Sequence, residues 1–180
     1  MAVFQSIRNF FVPPAADIIE PEIVMPAPPS VYEIHPLTDK QLKEVLNLNL
    51  RCFKAGENYT KYTFAYLLSE PNSLSYRVVT PSGLMVGFIF VMINREDGTG
   101  HITTIGVAPE HRRRGLANKL LTHAEAALRK RNIGVVMLEV RVGNRTAQNL
   151  YRAFDYAIVQ RLPQYYNNGE DGFLMVKSLF

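Results

Sequence analysis

The sequence predicts an α/β fold built on one mixed sheet of about seven strands with about four helices. Three observations predict it. Between residues 75 and 107, β-rich runs alternate with turn chemistry, which reads as an antiparallel meander. From 101 to 154, strand and helix alternate, an order that demands parallel pairing because the chain must cross back over the sheet. The chain has 180 residues, 47% hydrophobic and 20% charged. That length suits one ordinary domain burying roughly two thirds of its unfolded surface.

In chain order, the first thirty residues hold six of the eleven prolines and only four charged side chains, so 1–30 reads as an extended tail or linker and 31–180 as the domain. Phe4, Ile7, Phe10 and Phe11 recur at helical spacing, which leaves a short amphipathic docking segment as the alternative to a free terminus. A short strand follows from Val31. Thr38-Asp39-Lys40-Gln41 then has the capping-box pattern before Leu42, Val45, Leu46 and Leu50, the apolar face of a first helix. Tyr62 to Leu68 reads as a second helix that stops before Pro71. Ser75 to Thr80, Leu84 to Ile93 and His101 to Val107 are the meander strands, parted by Pro81-Ser82-Gly83 and by Asn94 to Gly100.

Gly115 to Arg131 is a long helix with Leu116, Leu120, Leu121, Ala124 and Leu128 on one face. The apolar run Val135 to Arg141 is a strand, and Asn144 caps a helix whose buried face is Ala147, Leu150, Tyr151 and Phe154. Tyr156 to Leu162 and Phe173 to Leu179 close the sheet around a loop with Tyr165, Tyr166 and Gly169.

Composition excludes several classes. Cys52 is the only cysteine, so no internal disulfide forms and a reducing, cytoplasmic setting is expected. The four histidines have no zinc spacing, and no metal is expected. The longest apolar run, Leu84 to Ile93, has strand length, so no membrane span is expected. Net charge is +4, but residues 111–161 carry eleven Lys or Arg against Glu125, Glu139 and Asp155, which points to an anionic ligand in that half.

The most informative stretch runs from Val107 to Ala117, where a strand ends and the long helix begins. A helix start offers unpaired N–H groups and a partial positive charge; Gly115 removes a Cβ that would block close approach, Ala117 keeps the next turn low, and Arg112, Arg113 and Arg114 add counter-charge. The three-glycine dinucleotide fingerprint and the Gly-Lys-Ser/Thr of a Walker loop are both missing, which sets those nucleotide enzymes aside.

Arg112-x-x-Gly115-x-Ala117 after Val-x-Pro resembles the acetyl-CoA signature of the GNAT acyltransferase superfamily. Gly100-His101-Ile102-Thr103, Leu138-Glu139-Val140-Arg141-x-x-Asn144-x-x-Ala147-x-x-Leu150-Tyr151 and Gln164-Tyr165-Tyr166-x-x-Gly169-Glu170-Asp171 resemble protein N-terminal acetyltransferases of the RimI and NatA types. Glu57-Asn58-Tyr59 is closer to the NatA and archaeal types. The resemblance spans Val31 to Leu179.

It implies acetyl transfer from acetyl-CoA to the α-amino group of a polypeptide by direct attack in a ternary complex. Arg112 to Ala117, with Leu116 and Asn118, would hold the pyrophosphate; the backbone at Ile105, Gly106 and Val107 would meet the pantetheine arm and the acetyl carbonyl. Glu139 matches the general base position of RimI-type enzymes, where NatA types carry histidine, and His101 on the neighbouring strand would share a water with it. Either side chain is also readable as a buried group paired for structure. Tyr151 occupies the family's general acid position and equally suits a core aromatic. Asn144 is a helix cap and, by family position, a CoA contact. Phe53, Glu57, Tyr59, Thr103, Tyr165 and Tyr166 would flank the peptide N-terminus, with Glu57 equally readable as a solvated loop acid. Cys52 is read as packing, because no activating group accompanies it.

Asp155-Tyr156 departs from the family's usual Gly-Phe or Asn-Phe and should keep a left-handed turn at some cost. Rival readings are transfer to a small amine or a lysine side chain, and a non-catalytic module using Arg112–Arg114 and Arg129–Arg131 on RNA or a ribosomal surface. The N-terminal acetyltransferase reading expects a protein or peptide N-terminus as partner, ribosomal proteins among the candidates, no stable nucleic acid, no membrane, and a monomer or weak oligomer.

Overall fold

The structure, a computed structural model, describes residues 24–53 and 58–180. The predicted Phe4–Phe11 segment and Glu57 lie outside them. Its elements are β1 (Glu33–Pro36), α1 (Leu42–Cys52), α2 (Lys61–Ser69), β2 (Ser73–Val79), β3 (Met85–Asn94), β4 (Thr99–Val107), α3 (Leu116–Arg129), β5 (Val135–Arg141), α4 (Arg145–Arg152), β6 (Ala157–Leu162) and β7 (Gly172–Ser178). Among the described residues the sheet has seven strands in the order β1-β2-β3-β4-β5-β7-β6. β1 to β4 form the expected antiparallel meander, and β4 to β5 is the parallel junction.

β3 reads as an unbroken apolar run because both its faces are covered, and Met85 to Val91 are all buried. Phe88 and Phe90 point to the α1–α2 face, where Phe64 of α2 packs 6.0 and 5.2 Å away between ring centres. On the other face, a Cβ at Gly87 or Gly100 would meet Leu120 or Leu128 of α3. The apolar stripe of α3 is buried as its spacing predicts, with Ala127 and Glu125 added.

Two predicted faces need correction. The expected capping box forms, with Thr38 N–H donating to Gln41 Oε1 at 3.2 Å, but it caps a short 3₁₀ turn over Asp39–Gln41, and α1 starts at Leu42. Within α1 the buried residues are Val45, Leu48 and Asn49, and Leu50, expected on that face, is exposed because it lies roughly 140° around the helix from Val45. In α4 the buried pair is Gln148 and Tyr151, with Ala147, Leu150 and Phe154 only half-buried. Gln148 is inside because its amide donates to the carbonyls of Arg141 (3.0 Å) and Val142 (2.8 Å), which fixes the turn after β5. Asp155 adopts φ +64° as expected for its left-handed turn, and Tyr156 N–H closes back on Tyr151 O at 3.0 Å.

Candidate active site

The site begins where the sheet splits. β4 pairs with β5 only from Thr99 to His101, against Val135 to Met137. Beyond that point β4 keeps β3 on one edge, while among the described residues Thr104 to Val107 have no strand on the other. A bulge helps bend β4 here: Phe90 pairs Thr104 and Val91 pairs Ile102, which leaves Thr103 extra. Two hydrogen bonds hold the bulge, Thr103 Oγ1–H to Phe90 O (3.2 Å) and Tyr59 O–H to Thr103 O (2.7 Å). Thr103, expected on the peptide side, thus has its hydroxyl and carbonyl turned to partners within the chain.

One flank of the split carries the anion-binding features. The unpaired edge at Ile105, Gly106 and Val107 offers backbone groups to an extended ligand. Gly106 is required by packing: a Cβ there would sit 2.7 Å from the Phe88 ring and 3.1 Å from Cys52 Sγ. Burial pushes the Cys52 thiol up to about 11, against the lowering influence of Arg112 and Arg51, so it stays an unreactive thiol. Beyond β4, a 3₁₀ turn at Pro109–His111 leads to Gly115, the cap of α3, at φ +71° with open space where its Cβ would be. The first-turn N–H groups of Leu116, Ala117 and Asn118 have no carbonyl one turn earlier and face the same end. The Leu116 side chain is buried in the core, so only its N–H is available to a ligand.

The arginines do not behave as three equal counter-charges. Arg112 donates to Val107 O (3.2 Å) and Cys52 O (3.0 Å), tying the loop to the end of α1. Arg114 is bound to Ala27, Pro28 and Tyr32. Arg113 is exposed, with φ +63° and no side-chain hydrogen bond among the described residues. The side chain of Asn144 caps α4 by accepting from Ala147 N–H at 3.0 Å.

The other flank carries the side chains that the resemblance marked for proton transfer. His101 stands opposite Met137, so the period-2 alternation of β5 places Glu139 diagonally across from it on one face. Their side chains meet at 2.6 Å, His101 Nε2 to Glu139 Oε2, the carboxylate 9% and the imidazole 16% exposed. Glu139 Oε1 has no hydrogen bond among the described residues. Burial, with the charge of Glu139 and the neighbouring Tyr165, holds the Tyr59 phenol far above its ordinary range, so it remains a donor. Tyr151 is buried, its phenol likewise raised by burial, and its ring lies 5.7 Å from Tyr156.

Tyr165 and Tyr166 pack edge to face, 5.1 Å between centroids. Sequence reasoning missed what holds them. The Arg141 guanidinium stacks 3.8 Å over the Tyr166 ring and pairs with Glu170 at 2.8 Å. The other Glu170 oxygen accepts from Gly143 N–H at 2.8 Å, where a Cβ on Gly143 would collide with it. Burial raises the Glu170 carboxyl, but Gly143 N–H and Arg141 outweigh it and hold it below the usual carboxylate range. The only sequence signal was a cation ending an apolar strand and an acid after Gly169. Phe53 ends α1 half-buried against the core.

A split sheet with a glycine-capped helix start on one side and a buried carboxylate–imidazole pair on the other is the arrangement expected of an acyl-CoA-dependent transferase. Residues 42–156 match the model of the acetyltransferase (GNAT) family, and the chain belongs to that family. Its relatives narrow the class. It is 40% identical over 144 residues to the N-alpha-acetyltransferase daf-31 of Caenorhabditis elegans, covering 77% of this chain and 78% of that protein. It is 39% identical over 136 residues to the N-terminal acetyltransferase A complex catalytic subunit NAA10 of Arabidopsis thaliana, covering 73% and 69%. The fold matches the ribosomal-protein-S18-alanine N-acetyltransferase of Escherichia coli with a TM-score of 0.76 at 24% identity, over 83% of this chain and 94% of that one. Acetyl-CoA is the donor in this family, and the residues fit it: a left-handed glycine with open space beside it, first-turn N–H groups, and a strand edge that has no neighbour among the described residues.

Proposed function

We propose that this enzyme transfers acetyl from acetyl-CoA to the α-amino group of protein N-termini, with Glu139 taking the amine proton and His101 holding Glu139 in place. The observation that carries the reading is the 2.6 Å His101–Glu139 contact at the point where β4 and β5 part.

Bound acetyl-CoA supplies an acetyl group activated as a thioester. The chain supplies the rest. N–H groups at Ile105 to Val107 and at the α3 start orient the donor, the former toward the acetyl oxygen. His101 Nε2–H fixes Glu139 Oε2, which leaves Oε1 to accept the proton of an α-ammonium directly or through one water. An α-amine, with a pKa of about 7.7 to 8.0, needs little help near neutrality. A lysine ε-amine at about 10.4 needs roughly 2.5 units more, some 3.4 kcal/mol, so a single carboxylate suits the α-amine better. The Tyr151 phenol, kept protonated by burial, donates to the departing sulfur.

Tyr59, Tyr165 and Tyr166 make an aromatic wall with polar tips that suits a peptide backbone of varied sequence. The relatives named for N-terminal acetylation support the same acceptor. Ribosomal proteins stay among the candidate substrates. The domain reading of 31–180, a monomeric or weakly associating state, and the reducing, cytoplasmic setting expected from a lone free Cys52 complete the proposal.

The test is acetylation of a peptide panel varying the first two residues, each beside a copy with a blocked α-amine and a free lysine. Turnover confined to free α-amines is expected. Equal turnover on lysine would overturn the acceptor assignment.

A further inference from the structure

We propose that the proline-rich segment Pro26 to Tyr32 is a strap that holds the acetyl-CoA loop in its binding conformation before the cofactor arrives, with Arg114 as the positioning residue that joins them. The inference rests on the reading of Arg112–Asn118 as the acetyl-CoA cradle.

Arg114 sits in the middle of that loop, yet its guanidinium is taken up by Ala27 O, Pro28 O (2.8 Å) and Tyr32 Oη (2.6 Å). All three acceptors are neutral, so Arg114 anchors the strap while its full charge stays beside the cradle. The strap makes two further attachments. Ala27 N–H donates to Glu110 O at 2.9 Å, and the Tyr32 hydroxyl meets His111 Nδ1 at 2.9 Å with the rings edge to face. Pro28 and Pro29 fix φ, so ordering this stretch loses little backbone entropy.

The loop has a reason to need holding. Arg113 is a non-glycine residue at φ +63°, two positions before Gly115 at φ +71°. A left-handed side-chain-bearing residue is disfavoured by about 1 to 2 kcal/mol and persists only where its neighbours impose it. Those neighbours are pinned on opposite sides: Arg112 to the carbonyl of Cys52 at the end of α1, and Arg114 to the strap. On the α1 side, Arg51 also grips the Glu110 carboxylate at 2.7 Å. With both anchors in place the loop N–H groups are converged in the free enzyme, and the donor binds without ordering them.

The experiment uses the full chain and three variants. Arg114→Lys keeps the charge but cannot bridge three acceptors, Ala27→Pro deletes the N–H that reaches Glu110, and the third combines both. Amide exchange at 112–118 is measured without cofactor, CoA affinity by calorimetry, and KM for each substrate with kcat. In both single variants, exchange at 112–118 should quicken. Kd for CoA and KM for acetyl-CoA should rise roughly fivefold to tenfold, with peptide KM and kcat unchanged, and the double variant should be no worse than Arg114→Lys. Unchanged exchange and CoA affinity in both single variants overturns the strap. Failure of CoA to bind the unmodified enzyme, or protection by CoA elsewhere than 112–118, overturns the cradle reading itself.

Discussion

In the proposed function, the two flanks of the split sheet recognise their ligands by different means. On the donor flank, the proposed binding groups are backbone N–H groups of one continuous stretch, Ile105 to Asn118, and side chains hold that stretch: Arg112 on Cys52, Arg51 on Glu110, Arg114 on Ala27 and Pro28. On the acceptor flank the working groups are side chains, brought together from β4, β5, α4, the Tyr59 loop and the β6–β7 loop. Backbone recognition tolerates side-chain change and is written in a short motif. Side-chain recognition depends on each residue and on the elements that aim it, so substitutions should act locally on one flank and leave the other intact.

The largest expected effect is on the acceptor flank. Glu139→Gln should lower kcat/KM for peptide on the order of a hundredfold at neutral pH while acetyl-CoA affinity, read by calorimetry, stays put. Next comes Arg141→Met, which removes both the stack on Tyr166 and the pair with Glu170; steady-state kinetics should give a peptide KM about tenfold higher with an unchanged acetyl-CoA KM. A rise in both constants would mean that the flanks are not independent.

Away from both flanks, Asp155→Gly relieves a left-handed aspartate at the end of α4 and should raise stability by about 1 kcal/mol in denaturant titration, with kinetics untouched. The smallest effect concerns pH. Burial pulls the His111 pKa below its ordinary value, Glu110 opposes this, and Arg114 and Arg51 add to it, while the Tyr32 hydroxyl faces the ring. The folded pKa lies below the unfolded one, so the unfolded chain takes the proton more readily. The stability His111 contributes is complete above about pH 6.5 and is lost as pH falls below it. His111→Gln should therefore flatten the decline in melting temperature between pH 7 and pH 5.

Much of this was legible in the sequence for a physical reason. The meander, α3 and β5 follow from apolar periodicity, and Asp155 takes the left-handed conformation expected after α4, while nothing in the sequence signalled the left-handed φ of Gly115. Glu139 and His101 were singled out through the resemblance to N-terminal acetyltransferases, not through a local pattern. Their direct contact needed the register between β4 and β5, which no local pattern encodes. The roles of Arg112, Arg114 and Arg141 were hidden for the same reason. A guanidinium reaches far enough to choose among partners tens of residues away, and its choice of Cys52, Pro28 or Tyr166 is settled only by the assembled fold. Leu50 was misplaced because the buried arc of α1 centres on Val45, Leu48 and Asn49, and at about 100° per residue Leu50 falls roughly 140° from Val45.

The central claim is that Glu139, held by His101, takes the proton of the attacking amine, and the pH profile of kcat/KM for a free α-amine peptide tests it most directly in the native enzyme and Glu139→Gln. The account predicts that the variant's deficit narrows steadily as pH rises past about 8, where the amine loses its proton unaided. A deficit that stays constant from pH 6 to pH 9.5 would contradict it and leave Glu139 a structural partner of His101.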